Sequence, residues 1–136
     1  MITLQDYFND KPHPTEYNLN ALTLLYRVNN LLDAFVTDTG EVSVNNPATG
    51  NQISGSKNGD GGFRLPTSLT GASKSAHKVG MAVDIYDIGQ HLDNWLDKNP
   101  DALIKYDLYR EEASQTINWC HLGTRKPLSG KRTFKP

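Results

Sequence analysis

Two histidines and one aspartate are the residues of this sequence whose types and spacing best suit metal chemistry. His77 and Asp84 lie in one short segment, Ser75–Asp84, and His121 follows in Asn118–Leu122. Two imidazole nitrogens and one carboxylate oxygen suit zinc, and three protein ligands leave a fourth tetrahedral position for water. Because zinc lowers the pKa of such a water to roughly 7, the trio predicts a hydrolytic site.

Strand alternation explains how the three side chains could meet. Met81–Tyr86 is rich in apolar and β-branched residues and predicts a strand in which Asp84 faces away from the core, beside small Ala82. Gly80 permits a tight turn that brings His77 back towards Asp84. In Asn118–Leu122 the same alternation places His121 and Trp119 on one face, and the other face buries Cys120 and Leu122. A thiol–imidazole dyad of Cys120 and His121 is therefore excluded.

Further elements must support this segment. The clearest is an amphipathic helix over about Asn18–Phe35, with apolar residues at three- and four-residue steps. The sequence also predicts a strand at Glu41–Asn45, a surface loop at Pro47–Gly62, a helix bearing Ile88, Leu92, Trp95 and Leu96, a short helix with Pro100 as its first residue, and a strand at Arg132–Phe134. Strands and helices do not alternate regularly, which favours an α+β fold over a doubly wound sheet.

Size and composition exclude several classes of protein. With 136 residues and 37% hydrophobic content, residues 1–136 are expected to form one domain with a core of its own. The net charge of -1 argues against a nucleic-acid binder. A single cysteine excludes a disulfide scaffold, and we expect neither a secretory signal nor membrane insertion, since no long apolar run is present.

The pattern Ser-x-His-x-x-Gly-x-Ala-x-Asp, followed downstream by Trp-x-His, resembles the zinc D-alanyl-D-alanine carboxypeptidases and related phage endolysin peptidases. The resemblance covers about Gly62–Phe134. It implies the α+β fold shared with hedgehog N-terminal domains, in which a small antiparallel sheet carries the zinc site and helices pack around it. It also implies that His77, Asp84 and His121 bind Zn²⁺, and that the substrate is a stem peptide of peptidoglycan.

The same resemblance implies roles for residues outside the trio. Gly62-Phe63-Arg64 matches a family segment whose arginine suits either a substrate carboxylate or the oxyanion of the intermediate. Ser75 is expected to bind substrate or to orient His77, and Trp119 to contact the substrate.

The general base is where this sequence departs from the best-known members, which carry a glutamate just before the second histidine. Asn118 occupies that neighbourhood, and an amide cannot accept the proton. The phage-like branch has Glu, then Thr, then Trp-x-His, which favours Glu111, with Thr116 and Trp119 matching. Glu112 is an alternative, and Asp107 a weaker one.

The resemblance therefore predicts a monomeric peptidoglycan hydrolase, made in the cytoplasm and acting at the cell wall, either as a phage lysis enzyme released through membrane holes or as a virion component. Two alternatives keep the metal without the catalysis: a cell-wall-binding module and a virion structural protein. The sequence leaves open which peptidoglycan bond is cut.

Overall fold

A computed structural model describes residues 1–41 and 44–136 of the chain. In chain order its helices are α1 (Leu4–Phe8), α2 (Glu16–Thr39), α3 (His91–Lys98) and α4 (Asp101–Lys105). Its strands are β1 (Ala82–Tyr86), β2 (Tyr109–Glu111), β3 (Trp119–Gly123) and β4 (Thr133–Phe134), and two 3₁₀ turns occupy Ala76–Val79 and Ala113–Gln115. The protein is thus a small α+β domain, as the sequence predicts.

Helix α2 is the longest element and supports one side of the core. Its buried residues follow the predicted spacing and are Ala21, Leu24, Leu25, Val28, Leu31, Leu32 and Phe35. The helix extends the predicted Asn18–Phe35 by one turn at its C-terminal end, where Gly40 adopts a left-handed conformation with φ of 70° and its N–H bonds to the Val36 carbonyl. Glycine adopts this φ without steric cost, so the helix ends there.

The four strands form one mixed sheet in the order β1-β3-β2-β4. β1 pairs antiparallel with β3, and β3 with β2, but β4 lies parallel to β2. The expected purely antiparallel sheet is therefore wrong at one edge. The reason is that the loop after β3 carries the chain past β2, so β4 joins the far edge of β2 running opposite to β3.

The inner face of the sheet packs into a single hydrophobic core. Val83, Ile85, Cys120 and Leu122 are all at most 4% exposed, which confirms the alternation predicted for β1 and β3. Leu92 and Leu96 of α3 join the same core. Ile88, predicted to lie on this helix, instead precedes it and is exposed, because the chain turns at Gly89 and Gln90 before α3 begins.

The remaining predicted elements are partly observed. Pro100 is the N-cap of α4 rather than its first residue, and β4 falls within the predicted Arg132–Phe134. Of the predicted strand Glu41–Asn45, Val42 and Ser43 lie outside the described residues, and the described flanking residues form no strand.

The segment 47–62 has no regular secondary structure, as expected, but it is not wholly a surface loop. Ile53 is 1% exposed and forms an isolated bridge with Ile85, and the Asp84 N–H donates to the Gly61 carbonyl. The segment thus follows the free edge of β1. Among the described residues, no helix is both long and apolar enough to cross a bilayer.

A candidate metal centre

The candidate site is built on one row of residues that crosses three adjacent strands. Asp84 of β1 lies directly opposite His121 of β3 in the antiparallel register. The β2–β3 register pairs Tyr109 with Gly123 and Arg110 with Leu122, so its continuation places Glu111 opposite His121. Directly opposed residues in such a sheet lie about 4.5–5.5 Å apart, which brings the three side chains together on the outer face.

His77 reaches this row from the 3₁₀ turn that precedes β1. The Ser75 hydroxyl accepts a hydrogen bond from the His77 backbone N–H at 3.2 Å, and Gly80 closes the turn with a φ of 79°. The His77 Nδ1 lies 2.8 Å from the Gly62 carbonyl. Because a carbonyl only accepts hydrogen bonds, Nδ1 carries the proton and Nε2 keeps its lone pair for the site. Nε2 lies 3.4 Å from Asp84 Oδ1.

The separations of the three candidate ligand atoms suit a metal ion. Two ligands at the usual zinc distances and a tetrahedral angle lie about 3.3–3.4 Å apart. The His77 Nε2–Asp84 Oδ1 distance matches that value, and the His121 Nδ1–Asp84 Oδ1 distance of 2.9 Å is a few tenths of an ångström shorter. All three atoms lie within 4.8 Å of one another. Among residues 1–41 and 44–136, no other group of three His, Cys, Asp or Glu side chains meets this condition. His77, Asp84 and His121 could therefore hold a metal ion.

The carboxylate of Asp84 and the neighbouring imidazoles shift the pKa values within this group. Burial alone would raise the pKa of Asp84, but the imidazoles of His77 and His121 outweigh it and hold that pKa well below its ordinary value. Burial likewise disfavours the charged form of His121, yet the hydrogen bond and charge of Asp84 raise its pKa. Asp84 is therefore the anionic centre on which both histidines converge.

Arg64 is bound to the same carboxylate from the side of the 47–62 segment. Its Nη2 lies 3.2 Å from Asp84 Oδ2, and its Nε donates to the Asp60 carbonyl at 2.7 Å. Its backbone N–H donates to the His77 carbonyl at 3.1 Å. Arg64 thus holds the second oxygen of Asp84 while the first oxygen faces the histidines.

The site opens into a cleft of about 620 Å³. All seven residues predicted for the site line it: Arg64, Ser75, His77, Asp84, Glu111, Trp119 and His121. His77 is 2% and Asp84 8% exposed, so the candidate metal ligands lie at the floor of the cleft rather than on its rim. This concave, partly apolar shape suits a small peptide ligand.

The structure distinguishes the three acidic residues considered as general bases. Glu111 lines the cleft, and its Oε1 lies 4.0 Å from His121 Nδ1. Glu112 points elsewhere, towards the Ser114 hydroxyl and the Lys135 ammonium group. Asp107 is exposed and pairs with Arg27 and Arg132. Of the three, Glu111 is the residue whose carboxylate lies at the candidate metal centre.

Several functional contacts could not be seen in the sequence. Tyr109 shares the outer face of β2 with Glu111 and lines the cleft, but a three-residue strand carries too weak a pattern to predict. The Gly62 carbonyl that orients His77 comes from a segment interpreted as a surface loop. The Tyr7 hydroxyl donates to the Ala82 carbonyl at 2.9 Å, which ties α1 to the start of β1.

Two residues of the predicted motif prove to be interior. Cys120 is fully buried on the inner face, where burial raises the pKa of its thiol well above its ordinary value, so it is remote from the cleft. Thr116 is also buried, and its hydroxyl lies 3.2 Å from Asp93 Oδ2.

No protein-family model, curated protein or solved structure matches this chain.

Proposed function

We propose that this protein is a zinc metallopeptidase that hydrolyses a peptide bond in the stem peptides or cross-links of bacterial peptidoglycan. The observation that supports this most strongly is the cross-strand row of Asp84, His121 and Glu111, completed by His77, at the floor of a peptide-sized cleft. It combines three candidate ligands with one further carboxylate that the metal group does not need. A purely structural zinc site uses four protein ligands and has no use for such a neighbour.

The residues present fit a zinc ion through His77 Nε2, Asp84 Oδ1 and His121 Nδ1. When bound, zinc supplies a Lewis acid for a peptide carbonyl and lowers the pKa of water. His77 is oriented for metal binding in advance, because the Gly62 carbonyl fixes its tautomer. Arg64 orients Asp84 through the ion pair with its Oδ2.

Glu111 acts as the general base in this proposal. Its carboxylate takes a proton from the attacking water and returns it to the leaving amine. This role is supported by its position on the strand next to β3, where Glu111 Oε1 lies 4.0 Å from His121 Nδ1. The Glu111 side chain is 22% exposed, so it retains access to substrate.

The other lining residues bind or stabilise the substrate. Arg64 uses Nη2 and Nε on protein oxygens and has Nη1 to offer to the oxyanion that develops at the attacked carbonyl. The Ser75 hydroxyl accepts from His77 N–H and keeps its own proton to donate to substrate. Trp119, at the start of β3, supplies an apolar wall for the peptide.

The decisive experiment compares the wild type with Glu111→Gln, using Glu112→Gln as the matched control. Purified peptidoglycan is digested, and the muropeptides are analysed by mass spectrometry, which also identifies the bond that is cut. We expect Glu111→Gln to bind zinc as the wild type does and to lose about 10²- to 10⁴-fold in rate. Glu112→Gln should retain the wild-type rate, because its carboxylate lies outside the cleft.

A zinc-loaded wild type that leaves every muropeptide intact would refute the proposal. It would favour the alternative, in which the fold and metal serve cell-wall binding or a virion structure without catalysis. The proposed peptidase could act on the cell wall either as a lysis enzyme or as part of a virion, and the proposal covers both cases.

A further inference from the structure

The charges of this protein are distributed very unevenly along the chain. Residues 65–80 and 124–136 contain seven of its 14 lysines and arginines and none of its 15 aspartates and glutamates. The seven cations are Lys74, Lys78, Arg125, Lys126, Lys131, Arg132 and Lys135. The rest of the chain is therefore acidic, although the net charge of the whole is only -1. Such a separation creates a local positive potential that the net charge conceals.

The fold brings the two basic segments together at the cleft. We call their irregular parts the rim loops: residues 66–75, which precede the 3₁₀ turn before β1, and residues 124–132, which join β3 to β4. The Arg125 Nη2 donates to the Lys74 carbonyl at 3.0 Å, which links one loop directly to the other. Residues of both loops line the cleft. The rim loops thus form one continuous border of its entrance.

Most of the seven cations are not neutralised within the protein. Arg132 pairs with Asp107, and the Lys135 ammonium group lies 4.0 Å from a Glu112 oxygen. The other five form no ion pair with any residue that the structure describes. Four of those five are exposed to solvent: Lys74, Arg125, Lys126 and Lys131. The rim loops therefore present several free positive charges, which suit an anionic partner.

Each rim loop also exposes a leucine completely. Leu69 is 98% and Leu128 110% exposed, the two largest values among the exposed large hydrophobic residues. Leu69 precedes Thr70 and Leu128 follows Pro127, and both of these neighbours line the cleft. Neither leucine contributes to the core, so each would be stabilised by a partner that removes its side chain from water. Apolar and cationic side chains thus share the same border of the cleft.

This combination fits the surface of an anionic bilayer better than a hydrated polyanion. Lysines and arginines are attracted to acidic headgroups, and leucines beside them leave water at the boundary between headgroups and acyl chains. A nucleic acid offers leucine no such apolar phase. Proteins that bind single strands stack the bases on aromatic side chains, and the rim loops contain no Phe, Tyr or Trp.

We propose that the rim loops are a membrane-docking surface, which binds a bilayer rich in anionic phospholipid through its free cations and through Leu69 and Leu128. Docking of this kind is peripheral and differs from insertion across the bilayer. Because the same loops border the cleft, the entrance of a docked protein's cleft lies at the headgroup layer. The proposal does not depend on the proposed peptidase function, since neither metal nor turnover takes part in docking.

Sedimentation with lipid vesicles tests the proposal on the full chain. Vesicles of phosphatidylglycerol and phosphatidylcholine in equal parts are compared with vesicles of phosphatidylcholine alone, at low and at high salt. We expect the protein to bind the anionic vesicles and not the neutral ones. Its affinity should fall as salt screens the cations.

Two double variants separate the charges from the leucines. Lys126→Gln with Lys131→Gln removes two free cations that do not line the cleft. We expect it to weaken vesicle binding on the order of 30-fold, about fivefold for each cation. Leu69→Ser with Leu128→Ser should weaken binding on the order of tenfold. The loss caused by the leucine variant should persist at high salt, because salt does not screen apolar contacts.

Each double variant has a matched control elsewhere on the surface. Lys57→Gln with Lys98→Gln removes two exposed cations outside the basic segments, and Leu22→Ser changes an exposed leucine of α2. We expect both controls to bind the anionic vesicles as the wild type does. All substituted side chains are exposed, so urea unfolding should show the wild-type midpoint in every variant.

Absence of vesicle binding, or equal binding to anionic and neutral vesicles, would overturn the proposal. Equal losses in the lysine variant and its control would do the same. A leucine variant that binds as well as the wild type would overturn it too, because the loops would then be a surface for a hydrated polyanion. None of these outcomes affects the peptidase proposal, and a protein that docks on vesicles but leaves peptidoglycan intact would retain the docking surface.

Discussion

At the scale of single residues, the candidate metal centre depends on side chains whose orientation is fixed before any ligand arrives. The Gly62 carbonyl sets the tautomer of His77, and Arg64 holds the outer oxygen of Asp84. Such neighbours of metal ligands commonly contribute 10- to 100-fold in metal affinity. The sequence motifs name the candidate ligands and Arg64, but the contacts that Gly62 and Arg64 make with His77 and Asp84 become visible only in the fold.

Replacing His77 with alanine should abolish zinc retention. It removes one of three ligands and leaves Asp84 buried with a single imidazole, so we expect zinc affinity to fall by more than the roughly 100-fold seen for outer contacts. Zinc content after dialysis, measured by atomic emission, tests this. His91→Ala is the control, since His91 is exposed and Glu41 is its one ion-pair partner among the described residues. Full zinc occupancy in His77→Ala would show that the metal lies elsewhere or that the trio is not its site.

At the scale of elements, a buried ionic group beneath the sheet holds β2 in place. Arg110 is 3% exposed and donates to Asp93 Oδ1 at 2.9 Å, to the carboxylate of Asp97 and to the Thr133 hydroxyl. It thereby links β2 to α3 and to β4. Because Glu111 is the next residue along β2 and points to the opposite face, this group also fixes the strand that presents the proposed base.

Asp93→Ala should destabilise the fold by about 3–5 kcal/mol, since it leaves Arg110 buried without its one fully buried carboxylate partner among the described residues. Urea unfolding monitored by circular dichroism measures the change. Asp97→Ala removes the other carboxylate, whose side chain is 54% exposed, and should cost no more than about 1 kcal/mol. Similar losses in the two variants would mean that burial does not govern the strength of these contacts.

The elements differ in how far the sequence predicts them. α2, β1 and β3 carry strong periodic patterns, and all three were predicted within a few residues. β2 spans only three residues and α1 five, too few for periodicity to show. The parallel β4 depends on the path of a loop, which local pattern does not encode. The meeting of the three candidate ligands was therefore predictable, whereas the position of Glu111 relative to them required the sheet.

At the scale of the whole molecule, metal binding and folding should be coupled. His121 lies 37 residues after Asp84 in the chain and on a different strand, so a zinc ion held by all three candidate ligands would bind the folded state preferentially. Helix α1 is also joined to the sheet, because the Tyr7 hydroxyl donates a hydrogen bond to the Ala82 carbonyl. We therefore expect loss of the metal to lower the stability of the whole domain.

Removing zinc with a chelator should lower the melting temperature. At free zinc about 100-fold above its dissociation constant, binding adds about 2.7 kcal/mol, equivalent to a shift on the order of 10 °C for a domain of this size. Scanning calorimetry with and without chelator measures the shift, and re-addition of zinc should restore it. The same treatment of His77→Ala is the control. A melting temperature that ignores the chelator in the wild type would contradict the coupling.

The row of Asp84, His121 and Glu111 ties chemistry to strand register. Shifting β3 by a single residue against its neighbours would turn Cys120 or Leu122 to the outer face and bury His121 among apolar side chains. A chain with that error would have no complete set of ligands. Metal retention could therefore serve as a reporter of correct strand pairing during refolding, even in variants that have lost all turnover.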